Sequence, residues 1–301
     1  MYNIPDFLYK KLSEQYGKDI ADKIINGYSK KRKTTIRVNT IKSNVEYVKE
    51  KLKENNISYK NVDWYNDAIV VENNKENEIR NLEIYKEGYI YMQSLSSMIP
   101  PIVLSPKQEE NILDMAAAPG GKTTQIASLT NNNSYITACE KNKIRVERLK
   151  YNIEKQDAKG INVLLADARK LDDYLSFDKI LLDAPCSGSG TIYLEDNNLL
   201  KNFTEELVER SVKVQYELLK KAANILKIGG EMVYSTCSIL QDENEDNILK
   251  IIKDNKLEVV PIDESFSKKL SVLPSKIKGT LCVCPNELYE GFYIAKLKRI
   301  R

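Results

Sequence analysis

The chain has 301 residues, 42% hydrophobic and 30% charged, with a formal net charge of +3. That length suits two domains with a sizeable core, and so mild a charge implies a nucleic-acid partner only if the cations are gathered locally. There is no histidine, which excludes Ser-His-Asp and Cys-His nucleophile pairs, histidine-ligated zinc and the H-x-E zinc deaminase signature. No apolar run approaches the ~18 residues of a membrane span. The first six residues, Met1 to Asp6, lack the basic and apolar regions of a leader. Five cysteines, an odd number in a long chain, fit reduced thiols and a cytoplasmic protein.

Taken in order, residues 5–27 read as one helix, with Phe7, Leu8, Leu12, Ile20, Ile24 and Ile25 at helical spacing and Gly27 as its stop. The basic run Lys30, Lys31, Arg32, Lys33 follows and leads into an alternating strand over 34–40 that contains Arg37. By itself such a run is a solvated linker; as part of an RNA surface it would hold phosphates. A helix over 45–55 and a strand over 68–71 complete a small α+β domain, set at residues 1–84. The tyrosines of 85–98 read as packing residues. Pro100, Pro101 and Pro106 mark a boundary inside the second segment, 85–301.

From Asn111 the rhythm becomes strand, helix, strand, helix. Strands are expected at 112–117, 135–140, 161–167, 179–185 and 231–237, with a last one at 292–297. Helices are expected at 122–130, 143–155, 205–226 and 243–253. Such alternation means an α/β domain with a mostly parallel sheet and helices on both faces.

Asp114-Met115-Ala116-Ala117-Ala118-Pro119-Gly120-Gly121-Lys122-Thr123 closes the first of these strands and opens a helix. Its small residues let a ligand approach the backbone. Gly121-Lys122-Thr123 is half of a phosphate loop, but Ala116 stands where that pattern needs glycine. Glu140 and Asp167 end the next two strands, and a carboxylate after the second strand is where ribose hydroxyls are held. Three acids at successive strand ends behind a glycine turn point to S-adenosylmethionine.

The strand at 179–185 runs into Asp183-Ala184-Pro185-Cys186-Ser187-Gly188-Ser189-Gly190, and that at 231–237 into Tyr234-Ser235-Thr236-Cys237-Ser238. An acid and two thiols at strand ends make a site, with no imidazole to activate it. Residues alone leave open which cysteine attacks a substrate.

These motifs, with Gln93-Ser-Leu-Ser-Ser-Met98 and Arg37-Val-Asn39, resemble the Nop2/Sun (RsmB-type) family of RNA cytosine-5 methyltransferases over most of the chain. The resemblance implies a Rossmann-like class I methyltransferase domain preceded by the small α+β N-terminal RNA-binding domain. It implies Cys237 as the nucleophile, Cys186 assisting release of the product, Asp183 contacting the cytosine ring and Lys122 favouring the thiolate. Its cofactor, S-adenosylmethionine, would be held by Ala116, Ala117, Ala118, Pro119, Gly120, Gly121, Lys122, Glu140, Arg145, Asp167 and Asp183. RNA, ribosomal or transfer, would lie on Lys30, Lys31, Arg32, Lys33 and Arg37. A monomer without a metal is expected. Cys282 departs from the family, standing where arginine is common. A Cys282-x-Cys284 metal pair lacks further ligands nearby, and a fold kept without catalysis, as an RNA-binding or ribosome-assembly factor, is the competing reading. Retained RNA binding without methyl transfer would mark that alternative.

Overall fold

The computed structural model describes residues 4–72, 76–254 and 257–301. Residues 1–3, part of the segment read for a leader, lie outside them. The chain forms two compact units, Met1–Arg32 with Leu182–Arg301 and Lys33–Leu181.

The single N-terminal helix expected over 5–27 is two helices, α1 (Asp6–Tyr16) and α2 (Lys18–Tyr28), interrupted at Gly17, whose φ is 81°. Gly27 is not a stop. It lies inside α2, and a Cβ there would fall 2.0 Å from the Pro285 carbonyl oxygen, so it is a point of close backbone approach.

In the unit Lys33–Leu181, β1 (Thr35–Val38), α3 (Val45–Glu54), β2 (Tyr59–Asn61), β3 (Ala68–Val71), α4 (Glu76–Asn81), α5 (Glu83–Lys86) and β4 (Ile90–Met92) come first. Their sheet is antiparallel in the order β2-β3-β1-β4. Alternation does not make one face of β1 wet: all four residues are buried, and Ile36, Val38, Val48, Leu52, Ile69 and Val71 share one core. The segment with Pro100 and Pro101 is a helix, α6 (Leu95–Leu104), rather than a break. Pro101 cannot donate to the carbonyl of Ser97, and Gln93 Nε2 does so instead at 3.1 Å, which removes the main cost of proline there.

Then β5 (Asn111–Asp114), α7 (Gly121–Leu129), β6 (Tyr135–Glu140), α8 (Lys143–Lys155), β7 (Ile161–Leu165) and β8 (Phe177–Asp183) follow in the expected order, but β5 ends three residues and β7 and β8 two residues before the expected limits, where the chain turns into the loops behind the strands. The pairs β5–β6, β5–β8 and β6–β7 are parallel. Asn142 starts α8, its side chain accepting from the Arg145 amide at 3.1 Å.

The unit that resumes at Leu182 holds the end of β8, then α9 (Asn197–Asn202), α10 (Glu205–Ile225), β9 (Leu226–Thr236), α11 (Glu245–Asp254), β10 (Leu257–Val260), α12 (Glu264–Lys269), β11 (Leu281–Val283) and β12 (Phe292–Arg299). β12 runs antiparallel to β9, β10 and β11. Among the described residues the larger sheet has the order β10-β12-β9-β8-β5-β6-β7, with β11 pairing β12. No described helix is long and apolar enough to cross a membrane.

Candidate active site

Asp114 and Glu140 are the last residues of β5 and β6, and Asp167 follows the end of β7 by two residues. Asp114 Oδ2 accepts from Thr123 Oγ1 at 2.7 Å, tying the strand end to the first turn of α7 across the loop 115–120. Three consecutive residues of that loop are held from outside it. The Ala117 amide donates to the Cys139 carbonyl at 2.9 Å, Arg145 Nη2 to the Ala118 carbonyl at 2.6 Å, and Asn152 Nδ2 to the Pro119 carbonyl at 2.8 Å. Gly120, at φ 109°, makes the turn into α7; a Cβ there would also press on Leu149 at 3.0 Å.

Glu140 is only 3% exposed, accepts the Asn142 amide at 2.9 Å, and faces Arg145 Nη1 at 3.2 Å. Arg145 therefore joins the acid to the loop. Asp167 pairs with Arg169 at 2.6 Å, and this hydrogen-bonded cation lowers its carboxyl to about 2. Lys122 Nζ donates to Ser97 Oγ at 2.7 Å.

The residues fit S-adenosylmethionine. A buried carboxylate suits ribose hydroxyls, and the loop offers methyl groups and bare backbone to a ligand. Glu140, Asp167 and the loop 116–121 would hold it.

Arg37 is a correction. It is 1% exposed, so it offers no phosphate contact to RNA. Its guanidinium donates to Gln93 Oε1 at 2.7 Å, Thr124 Oγ1 at 2.9 Å, Gln125 Oε1 at 3.4 Å and the Gly121 carbonyl, with Tyr91 beneath it at 5.5 Å. Burial lowers its guanidinium to about 10. Arginine's fan of donors braces the first turn of α7 from β1.

In the other unit, β8 ends on Asp183, whose Oδ1 accepts from Ser235 Oγ on β9 at 2.7 Å. The loops that follow the two strands bring Cys186 Sγ to 2.9 Å from Cys237 Sγ. Neither thiol is in a disulfide, and both are partly accessible. Its hydrogen bond to Cys237, burial, and the charge of Glu243 together push the Cys186 thiol well up. At this separation the two sulfurs can share a proton, with either one as the donor.

The sequence reading missed Glu243. It is fully buried just ahead of α11, where the expected helix would have begun. The Ser187 amide at 2.8 Å, Ser187 Oγ, Ser238 Oγ and Gln215 Nε2 at 2.9 Å all donate to its carboxylate. Gln215 also donates to the Pro185 carbonyl at 3.0 Å. The available signal was Gln215 itself, a polar residue in the buried stripe of α10 with Val208, Leu218 and Leu219.

Lys30 and Lys31 are exposed, and Lys33 is partly so. Arg32 turns back, donating to the Lys30 carbonyl at 3.1 Å and the Gly190 carbonyl at 3.5 Å. Cys282 and Cys284 are buried in β11 and the turn after it; Tyr16 Oη lies 3.7 Å from Cys282 Sγ, and burial raises both thiols. Among the described residues no cluster of cysteines and acids is arranged to hold a metal.

This is an α/β methyltransferase fold with a small α+β domain ahead of it. Comparison with known proteins gives the particular family. Residues 101–298 match the family model of the 16S rRNA methyltransferase RsmB/F, and residues 4–77 that of the RsmF/B-like, ferredoxin-like domain. The chain belongs to the RsmB/F (Nop2/Sun) family of S-adenosylmethionine-dependent RNA cytosine-5 methyltransferases. It is 35% identical over 292 residues to the ribosomal RNA small subunit methyltransferase F of Shewanella loihica, covering 93% of this chain and 59% of that one. It is 38% identical over 226 residues to a tRNA (cytosine(72)-C(5))-methyltransferase of Pyrococcus horikoshii, covering 74% and 56%. The crystal structure of NSun6 from Pyrococcus horikoshii with SFG superposes with a TM-score of 0.88 at 25% identity, covering 99% of this chain and 98% of that one. The chain spans about three fifths of the length of the sequence relatives it matches.

Proposed function

We propose that this chain methylates carbon 5 of cytosine in RNA, with Cys237 as nucleophile. The observation that carries the reading is the contact of Cys186 and Cys237 at 2.9 Å, on loops that follow two strands of which one ends on Asp183. Carbon 5 of cytosine is a poor nucleophile. Addition of the Cys237 thiolate to carbon 6 moves electrons into the ring and makes carbon 5 able to attack. Negative charge gathers at N3, and a proton held between N3 and the Asp183 carboxyl would neutralise it. When bound, S-adenosylmethionine supplies an electrophilic methyl group. Once carbon 5 carries its methyl group it gives up its proton to water, the electrons of that C–H bond restore the carbon 5–carbon 6 double bond, and the carbon 6–sulfur bond breaks to release Cys237. The proton of Cys186 stabilises that departing thiolate.

Lys122 and the rest of the cofactor set, with Asp183, are assigned as the motifs suggest. RNA is favoured over DNA because its unpaired loops give up a base at low cost. Ribosomal RNA is the reading supported by the family model and by the long match to a small subunit enzyme. Transfer RNA is the other outcome of the test. Five cysteines outside any disulfide suit a reducing cytoplasm. Bisulfite sequencing of total RNA from cells with and without the gene tests this: one protected cytosine should become convertible when the gene is lost. An unchanged pattern, with no transfer of labelled methyl to RNA by the purified protein, would favour a binding factor that keeps the fold without the reaction.

A further inference from the structure

We propose that Glu243 is a positioning residue of the two-cysteine site: its buried carboxylate fastens the loop of Cys186 to the loop of Cys237 and so sets the approach of the two sulfurs. This inference deepens the proposed methyl transfer and rests on it.

The geometry is reciprocal. Ser187, next to Cys186, gives Glu243 both its amide and its hydroxyl. Ser238, next to Cys237, gives its hydroxyl. Gln215 bridges from α10, donating to Glu243 and to the carbonyl of Pro185, while Asn247 Nδ2 holds Gln215 Oε1 at 3.2 Å. Tyr234 Oη donates to the backbone carbonyl of Glu243 at 2.6 Å and anchors the main chain there. Second ties run between the same loops: Ser189 Oγ meets Ser238 Oγ at 2.8 Å, and the Gly190 amide donates to the Cys237 carbonyl at 2.9 Å. A buried network so fully satisfied holds one arrangement, and removing its central acceptor leaves several donors without a partner.

The charge has a second effect. The titratable groups that bear on Cys186 are Cys237, Glu243 and Tyr234. Glu243 is the carboxylate among them, and its repulsion disfavours a thiolate at Cys186. The position of the thiol proton therefore belongs to the same device as the spacing.

The test uses the full chain carrying Glu243→Gln or Glu243→Ala. For Glu243→Ala the rate of methyl transfer should fall by roughly 10²-fold, the scale of a small misplacement of reacting groups, with affinity for S-adenosylmethionine within about twofold of wild type. Glu243→Gln should recover part of that rate. In a Cys237→Ala background, Glu243→Gln should let iodoacetamide alkylate Cys186 at lower pH, read by mass spectrometry. A purely structural role would leave that profile where it was. Full activity in a folded Glu243→Ala protein, or an unmoved alkylation profile, overturns the proposal. If Glu243→Ala does not fold, Glu243→Gln carries both measurements. If the wild type methylates no RNA, the proposed function fails, while the alkylation profile still decides the part played by Glu243.

Discussion

Glu140, 3% exposed, accepts one amide and faces one guanidinium, and in the proposed role it keeps lone pairs for two ribose hydroxyls. Glu140→Ala should weaken S-adenosylmethionine binding by about 1.5–3 kcal/mol, the worth of charge-assisted hydrogen bonds, and calorimetry reads it directly. Unchanged affinity would take Glu140 out of the site. Asp167 makes a pH prediction. Its carboxyl is lowered from the usual 3.8 to about 2 by Arg169, so its contribution to stability is complete above about pH 4 and is lost as pH falls from about 4 to 2. Asp167→Asn should flatten the fall of the unfolding temperature in that window, measured by calorimetry from about pH 2 to 5. The same residue scale shows where a sequence stops being legible. Cys186 and Cys237 stand out because motifs flank them. Glu243 sits in an acidic stretch, Asp242-Glu243-Asn244-Glu245, that resembles an exposed helix start until folding buries two of its acids.

Elements are legible in the sequence where period and cap agree. The strand at 135–140 and the helix at 143–155 have the expected limits, the latter behind an Asn142 cap. The failures have local causes. Gly17 breaks a helical pattern whose apolar spacing continues across it, and Pro101 is accommodated in α6 where Gln93 replaces its missing donor. Strands β10 and β11 are short, four and three residues, and owe their existence to pairing with β12. Arg37 on β1 failed for a different reason: a cation following a basic run looks solvated, and only the packing of β1 on α7 shows otherwise. Arg37→Leu should therefore destabilise the protein by about 2–5 kcal/mol in denaturant unfolding, since Gln93, Thr124 and the Gly121 carbonyl lose a donor. A variant as stable as wild type would return Arg37 to the surface cations.

For the whole molecule, a net charge of +3 is too small to attract RNA uniformly, so the proposed RNA contact has to be local. Lys30 and Lys31 are the exposed part of the basic run. Changing both to alanine should lower RNA affinity and reduce the salt slope by up to ~0.7 for each phosphate that is no longer neutralised, with cofactor binding untouched. An unaltered slope would make the run a solvated linker. The central claim concerns the reacting pair, and covalent capture of RNA tests it most directly. An RNA substrate carrying 5-fluorocytosine, which has no carbon 5 proton to lose, should leave wild-type protein and Cys186→Ala attached to RNA on denaturing gels when S-adenosylmethionine is present. Cys237→Ala should run free. With ordinary cytosine, Cys186→Ala alone should accumulate as a covalent complex, because release is slowed. A stable complex in Cys237→Ala and none in Cys186→Ala would contradict the account and make Cys186 the nucleophile.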